Sequence, residues 1–207
     1  GLIHEFPLDT NNLGITLQEL GRLDEAETSY VKAIALNLDL VEAHYNLGNT
    51  LKELGRFDEA EASYNKAIAL RPDYAETHNN LGIMFQELGR LYEAEASYNQ
   101  AITLRPDYAE AHRHLALFKK FDAQDERYSE MEKLYLDKNI SEEQRCHINF
   151  GLAKACEDLG DFEQAFMHYS EGNMLRKELL SYDINQDVKL ILQSCLQIVM
   201  TDFFIQH

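Results

Sequence analysis

The 207-residue sequence contains three prolines, three cysteines and no tryptophan. So few prolines leave room for long uninterrupted helices, because proline removes a backbone donor and clashes with the preceding turn. Cys146, Cys156 and Cys195 are odd in number and form no CxxC pair. That excludes a disulfide framework or a zinc knuckle and points to a reduced, cytoplasmic protein. No apolar run approaches the ~20 residues of a membrane helix. Residues 1–6 lack the basic and apolar blocks of a signal peptide and read as a vector-derived or disordered leader. Basic residues are scarce: 19 Lys and Arg face 36 Asp and Glu, a net charge of −17. The excess is spread, with 17 acids against 8 bases in 7–108 and 18 against 11 in 109–207. Such a surface repels nucleic-acid phosphates and anionic membranes, and it steers basic proteins or peptides inward.

Chemistry-bearing motifs are missing as well. No phosphate loop, GxGxxG, GxSxG or HExxH occurs. His44, His78 and His112 recur 34 residues apart. Single histidines on successive helices ~8–10 Å apart do not share one zinc, so they read as packing residues. Solvated carboxylates with ordinary pKa values make poor general acids. We expect no catalytic residue, no metal site and no cofactor.

What the sequence has is a repeat. At an offset of 34, Leu13-Gly14 returns as Leu47-Gly48 and Leu81-Gly82. Glu19-Leu20-Gly21-Arg22 returns as Glu53–Arg56 and Glu87–Arg90, and Tyr30, Tyr64 and Tyr98 match. Ala43, Leu47, Leu51 and Leu54 fall on one helical stripe, and Phe57, Ala60, Tyr64, Ala67 and Ile68 on another. Gly21, Gly55 and Gly89 stand where the first helix must stop. Asp39, Asp73 and Asp107 each precede a Glu by three residues, a capping-box spacing. Each unit is a helical hairpin that buries its apolar face only by stacking on neighbours.

This 34-residue pattern resembles the tetratricopeptide repeat (TPR) family over residues 7–108. The resemblance implies an all-α, right-handed superhelical solenoid of antiparallel helix pairs. Residues 109–140 read as a degenerate fourth unit. Residues 141–183 read as a fifth, with Ser141 and Gln144 as its capping box and a second helix from about Phe162 to Leu180. The stripe Val188, Ile191, Leu192, Cys195, Leu196 and Val199 predicts a C-terminal capping helix over 184–200, followed by a tail at 201–207. Residues Ala153–Phe166 and Tyr169–Lys177 are similar to the segment that joins TPR arrays to sulfotransferase domains in bacterial proteins, which implies a possible catalytic neighbour.

In the TPR family the first helices line a concave, partner-binding face. The side chains opposite the leucine stripe are Asn11, Asn12, Ile15 and Glu19, then Glu42, Tyr45, Asn46, Asn49 and Glu53. Glu76, Asn79, Asn80, Ile83 and Glu87 follow, then Glu110, Arg113, His114 and Leu117. Asn12, Asn46 and Asn80 form a row of carboxamides that can bond a peptide backbone, a row that resembles the asparagine ladder of the O-linked N-acetylglucosamine transferase array. Glu42, Glu76 and Glu110 flank it on one edge, and Glu19, Glu53 and Glu87 on the other. The expected activity is non-catalytic binding of an extended peptide or protein carrying basic residues. The alternatives are a substrate-recruiting region of a sulfotransferase-type enzyme and self-assembly, as a homodimer through repeat ends or the C-terminal helix.

Overall fold

The computed structural model describes residues 6–122 and 124–180, which form ten α-helices and, among the described residues, no strand. The segment expected to cap the array, 184–200, lies outside the described residues, as does Cys195. Three regular hairpins come first: α1 (Pro7–Glu19) with α2 (Leu23–Leu36), α3 (Val41–Glu53) with α4 (Phe57–Leu70), and α5 (Ala75–Glu87) with α6 (Leu91–Leu104). Then follow α7 (Ala109–Phe118), α8 (Glu126–Leu136), α9 (Glu142–Leu159) and α10 (Phe162–Leu179).

The hairpin crossing is set by one glycine and one tyrosine per unit. Tyr30, Tyr64 and Tyr98 are fully buried. A Cβ added at Gly14, Gly48 or Gly82 would sit 2.5–2.7 Å from the facing tyrosine ring. Only glycine lets the ring come this close to the partner backbone. Ala26, Ala60 and Ala94, also fully buried, keep the opposite helix close. The turns depend on a second glycine. Gly21, Gly55 and Gly89 have φ near +71 to +73°, where glycine alone is unstrained. Arg22, Arg56 and Arg90 then donate their backbone N–H to the carbonyls of Leu17, Leu51 and Phe85, closing the first helix.

The expected acidic capping boxes do not form in the regular units. The N-caps of α3, α5 and α7 are Leu40, Tyr74 and Tyr108, with no side-chain cap bond. A second device secures the inter-unit loop. His44 and His112 bond through Nε2 to the carbonyls of Leu38 and Pro106, at 3.0 and 2.9 Å, and His78 bonds the Pro72 carbonyl. Each repeated histidine thus ties the loop six residues upstream to its own helix. The Ser141–Gln144 capping box is present at α9.

Arginines stitch the units together. Arg56 and Arg90 each reach forward to Glu59 and Glu93, and back across the unit boundary to Glu27 and Glu61 at 2.6 and 2.7 Å. The acidic excess is therefore partly cancelled in place.

The fourth unit departs from the hairpin plan. Residues 119–125 carry α8 away from α7, and α7 packs chiefly against α9. Ala109, Ala116, Phe121, Met131, Ile148, Leu152 and Ala155 form a separate core there, with the Met131 sulfur packed against Gly151. The sulfur lies where a Cβ on Gly151 would stand. The outer face of α10 stays apolar and exposed at Phe162, Phe166, Met167 and Met174.

Candidate functional site

The first helices carry a regular staircase of side-chain bonds. Asn46 Nδ2 donates to Asn11 Oδ1 at 3.1 Å, and Asn80 Nδ2 donates to the Tyr45 hydroxyl at 3.0 Å. His114 Nδ1 meets Asn79 Oδ1 at 3.1 Å, and Arg113 Nη1 meets His147 Nδ1 at 3.4 Å. In the first three rungs a row residue, Asn46, Asn80 or His114, meets the residue one place before its counterpart in the preceding unit, 35 positions back, and the fourth rung spans 34. Along the array the rungs pass from amide–amide to phenol–amide, amide–imidazole and guanidinium–imidazole. Only the last of these rungs carries a charge, on Arg113.

The carboxamide row is partly occupied by these bonds. Asn80 gives its second amide hydrogen to Asn49 Oδ1, which also accepts from the Tyr64 hydroxyl, both at 2.7 Å. Asn12 is exposed, whereas Asn46 and Asn80 are half-buried. Helical phase also put Asn79 on the open face, but it is fully buried, and Asn11 is nearly so. The reason is the tight approach of successive first helices, which covers Asn11 and Asn79. Asn79 Nδ2 has no hydrogen-bond partner among the described residues. Tyr45 is half-buried, its ring centroid 5.1 Å from that of Tyr74.

The two acidic edges differ. Glu42 is paired with Arg71 at 2.6 Å and Glu76 with Arg105 at 2.5 Å. Burial raises the Glu42 pKa, yet the Arg71 hydrogen bond, a backbone hydrogen bond and the Arg71 charge together outweigh it and leave the carboxyl below its usual value. Asn139 stands 29 residues after Glu110, where the next arginine would be, and among the described residues Glu110 meets His114 Nε2 alone, at 4.0 Å. On the other edge Glu53 accepts from Gln18 Nε2 at 2.6 Å, and Glu19, Glu53 and Glu87 are exposed. Ile15, Gln18, Glu19, Asn46 and Glu53 line a shallow hollow of about 360 Å³ between α1 and α3. Sequence reasoning missed the arginine partners, although their signal was there: Arg71 follows Glu42, and Arg105 follows Glu76, by 29 residues.

His114 is held neutral. Burial, then Arg113, His147 and Lys52, bring its pKa down to about 4. Away from this face, a cavity of about 720 Å³ opens between α8, α9 and α10, walled by Tyr128, Tyr135, Leu152, Met167 and His168. It exists because α8 has left α7. The free thiols Cys146 and Cys156 are buried, with pKa values raised by burial. None of the described helices is long and apolar enough to cross a membrane.

Family models described as TPR repeat and Tetratricopeptide repeat match residues 14–55 and 48–89, and residues 75–108. No curated protein matches the chain. Solved structures do. Pseudomonas aeruginosa PilF superposes with a TM-score of 0.65 at 22% identity, covering 81% of this chain and 75% of that one. A MamA structure gives 0.60 at 21% identity, covering 86% and 95%. The first TPR of Spaghetti (RPAP3), bound to an HSP90 peptide, gives 0.52 at 26% identity, covering 56% and 93%. A Thermobaculum terrenum O-GlcNAc transferase gives 0.54 at 26% identity, but only 25% of that chain is spanned. Residues 14–108 of this chain match models of the tetratricopeptide repeat, and the described residues, all helical, share the TPR solenoid fold of these structures.

Proposed function

We propose that the face built by α1, α3, α5 and α7 holds an extended polypeptide segment, and that the chain works by binding rather than by catalysis. The observation that carries this reading is the staircase of polar rungs. It repeats a hydrogen-bonding surface at the spacing of the units and flanks it with exposed glutamates. A peptide backbone laid along it meets the exposed Asn12 amide, which can both donate and accept. The Spaghetti repeat seen with a peptide supports the same use of a related fold. Because Glu42 and Glu76 are neutralised by their own arginines, the charge that selects basic side chains comes from Glu19, Glu53 and Glu87, and from Glu110 on the first edge.

A peptide array tests the reading. Extended segments with Lys or Arg should be enriched, and Ile15→Arg, which fills the hollow between α1 and α3, should abolish capture without lowering the melting temperature. Capture that survives Ile15→Arg together with Ile83→Arg would place the partner elsewhere. The exposed apolar face of α10 favours a second reading, self-assembly, which light scattering separates from a monomeric binder. A sulfotransferase neighbour stays a proposal resting on residues 153–177 alone, decided by the reading frame beyond His207.

A further inference from the structure

Seven of the nine arginines are ion-paired: Arg22, Arg56, Arg71, Arg90, Arg105, Arg127 and Arg145. The other two are Arg113 on α7 and Arg176 near the end of α10. Neither has a carboxylate partner among the described residues, and both line one cavity of about 230 Å³. His147, Phe150, Cys146 and Leu179 form its other walls, and Glu143 stands among them as a single exposed carboxylate. The Arg113 guanidinium lies 5.7 Å from the centre of the Phe150 ring.

Two guanidiniums converge here in a chain of net charge −17 while carboxylates satisfy every other arginine. A guanidinium's fixed fork of donors is matched by a planar oxyanion. The local charge sum sets the size of that anion. Burial lowers the His147 pKa, Arg113 and Arg176 lower it further, and Glu110 and Glu143 oppose them, so the imidazole is neutral at pH 7. Among the lining residues two arginines against Glu143 leave about one positive charge, which Glu110 beyond His147 reduces further, and this suits a carboxylate better than a dianionic phosphate. Phe150 and Leu179 add an apolar wall beside it.

We propose that this cavity is an anion subsite at the C-terminal end of the binding face. It takes the carboxylate of an Asp or Glu side chain in the bound segment, with a neighbouring aliphatic residue against Phe150 and Leu179. The proposal rests on the groove reading above. A bound segment then runs with its basic residues along Glu53 and Glu87 and its acidic residue at α7 and α9.

The test uses the full chain, labelled with nitrogen-15, and two probes: acetyl-Glu-Leu-amide and acetyl-Gln-Leu-amide. With a single subsite filled, binding should be in the millimolar range. The glutamate probe should shift the resonances of Arg113, His147, Phe150 and Arg176, and the glutamine probe should not. Arg113→Gln and Arg176→Gln should each weaken the glutamate probe by at least about fivefold. Both side chains lack a carboxylate partner, so melting temperatures should hold; using two variants guards against one misfolding. Equal shifts from both probes, no shift, or unchanged affinity in both variants would overturn the subsite. If array peptides bind while the glutamate probe does nothing, the subsite fails and the groove reading stands. If the probe binds and no array peptide does, the anion site stands without the groove.

Discussion

The ring of Tyr64 packs against Gly48, so close that a Cβ on the glycine would come within 2.7 Å of it. The same contact joins Tyr30 to Gly14 and Tyr98 to Gly82. It fixes how near the two helices of a hairpin come, and hence how the hairpins stack.

Gly48→Ala should therefore overpack the hairpin and cost roughly 1–3 kcal/mol, because the tyrosine is fully buried and has nowhere to retreat. Gly55→Ala meets nothing within 4 Å. It pays only for a left-handed backbone, about 1 kcal/mol. Thermal melts of the two variants compare steric with conformational cost. A larger loss at Gly55 would mean that the turn, rather than the crossing, limits the hairpin.

Ala60→Leu, at a fully buried crossing position, should likewise cost roughly 1–3 kcal/mol. Glu61→Ala removes one arm of the Arg90 bridge between units and should destabilise less. Its effect should shrink as salt rises from about 0.05 to 0.5 M, since the pair is partly exposed. Salt-independent loss at Glu61 would argue for packing by its methylenes instead.

The fold was largely legible because it is written three times. The glycines of the Leu-Gly pairs, the buried tyrosines and the turn glycines each recur at 34 residues, and each has one physical role in every unit. The fourth unit was less legible. Its linker at 119–125 breaks the periodic pattern, so the pairing of α7 with α9 had no local signal. The site was legible as a face but not as a set of available groups. Helical phase gives direction, yet it does not say that Asn79 is covered by the next helix. Nor does an acidic ladder announce that Arg71 and Arg105 fold back onto it.

A pH dependence follows from His114. Its folded pKa of about 4 lies below the ordinary value of 6.5. In the unfolded chain the imidazole takes up a proton below about pH 6.5, while in the folded chain it stays neutral until about pH 4. The unfolded state thus binds more protons in that window, and stability falls as pH falls. His78, His112, His147 and His168 are shifted the same way, chiefly by burial. His114→Asn substitutes the residue found at the same position of the first three units. It should flatten the fall in melting temperature between about pH 6.5 and 5 without lowering the value at pH 7.5. A variant whose melts track the parent across that range would show that another histidine dominates.

The two acidic edges should contribute unequally to ligand capture. Glu42 and Glu76 are committed to Arg71 and Arg105, so Glu42→Gln with Glu76→Gln removes charge that is already neutralised. Glu53→Gln with Glu87→Gln removes carboxylates that have no arginine partner among the described residues. For a Lys- or Arg-bearing peptide from the array, the second pair should weaken binding more. Exposed pairs contribute only ~0.2–1 kcal/mol each, so the loss should be severalfold rather than complete. It should fall mainly on the association rate, because these charges act by steering rather than by locking a buried contact. Stopped-flow kinetics in low and high salt would read this directly. If the Glu42 and Glu76 pair slows association as much as the Glu53 and Glu87 pair, the internal arginines do not shield the first edge, and both edges face the ligand alike.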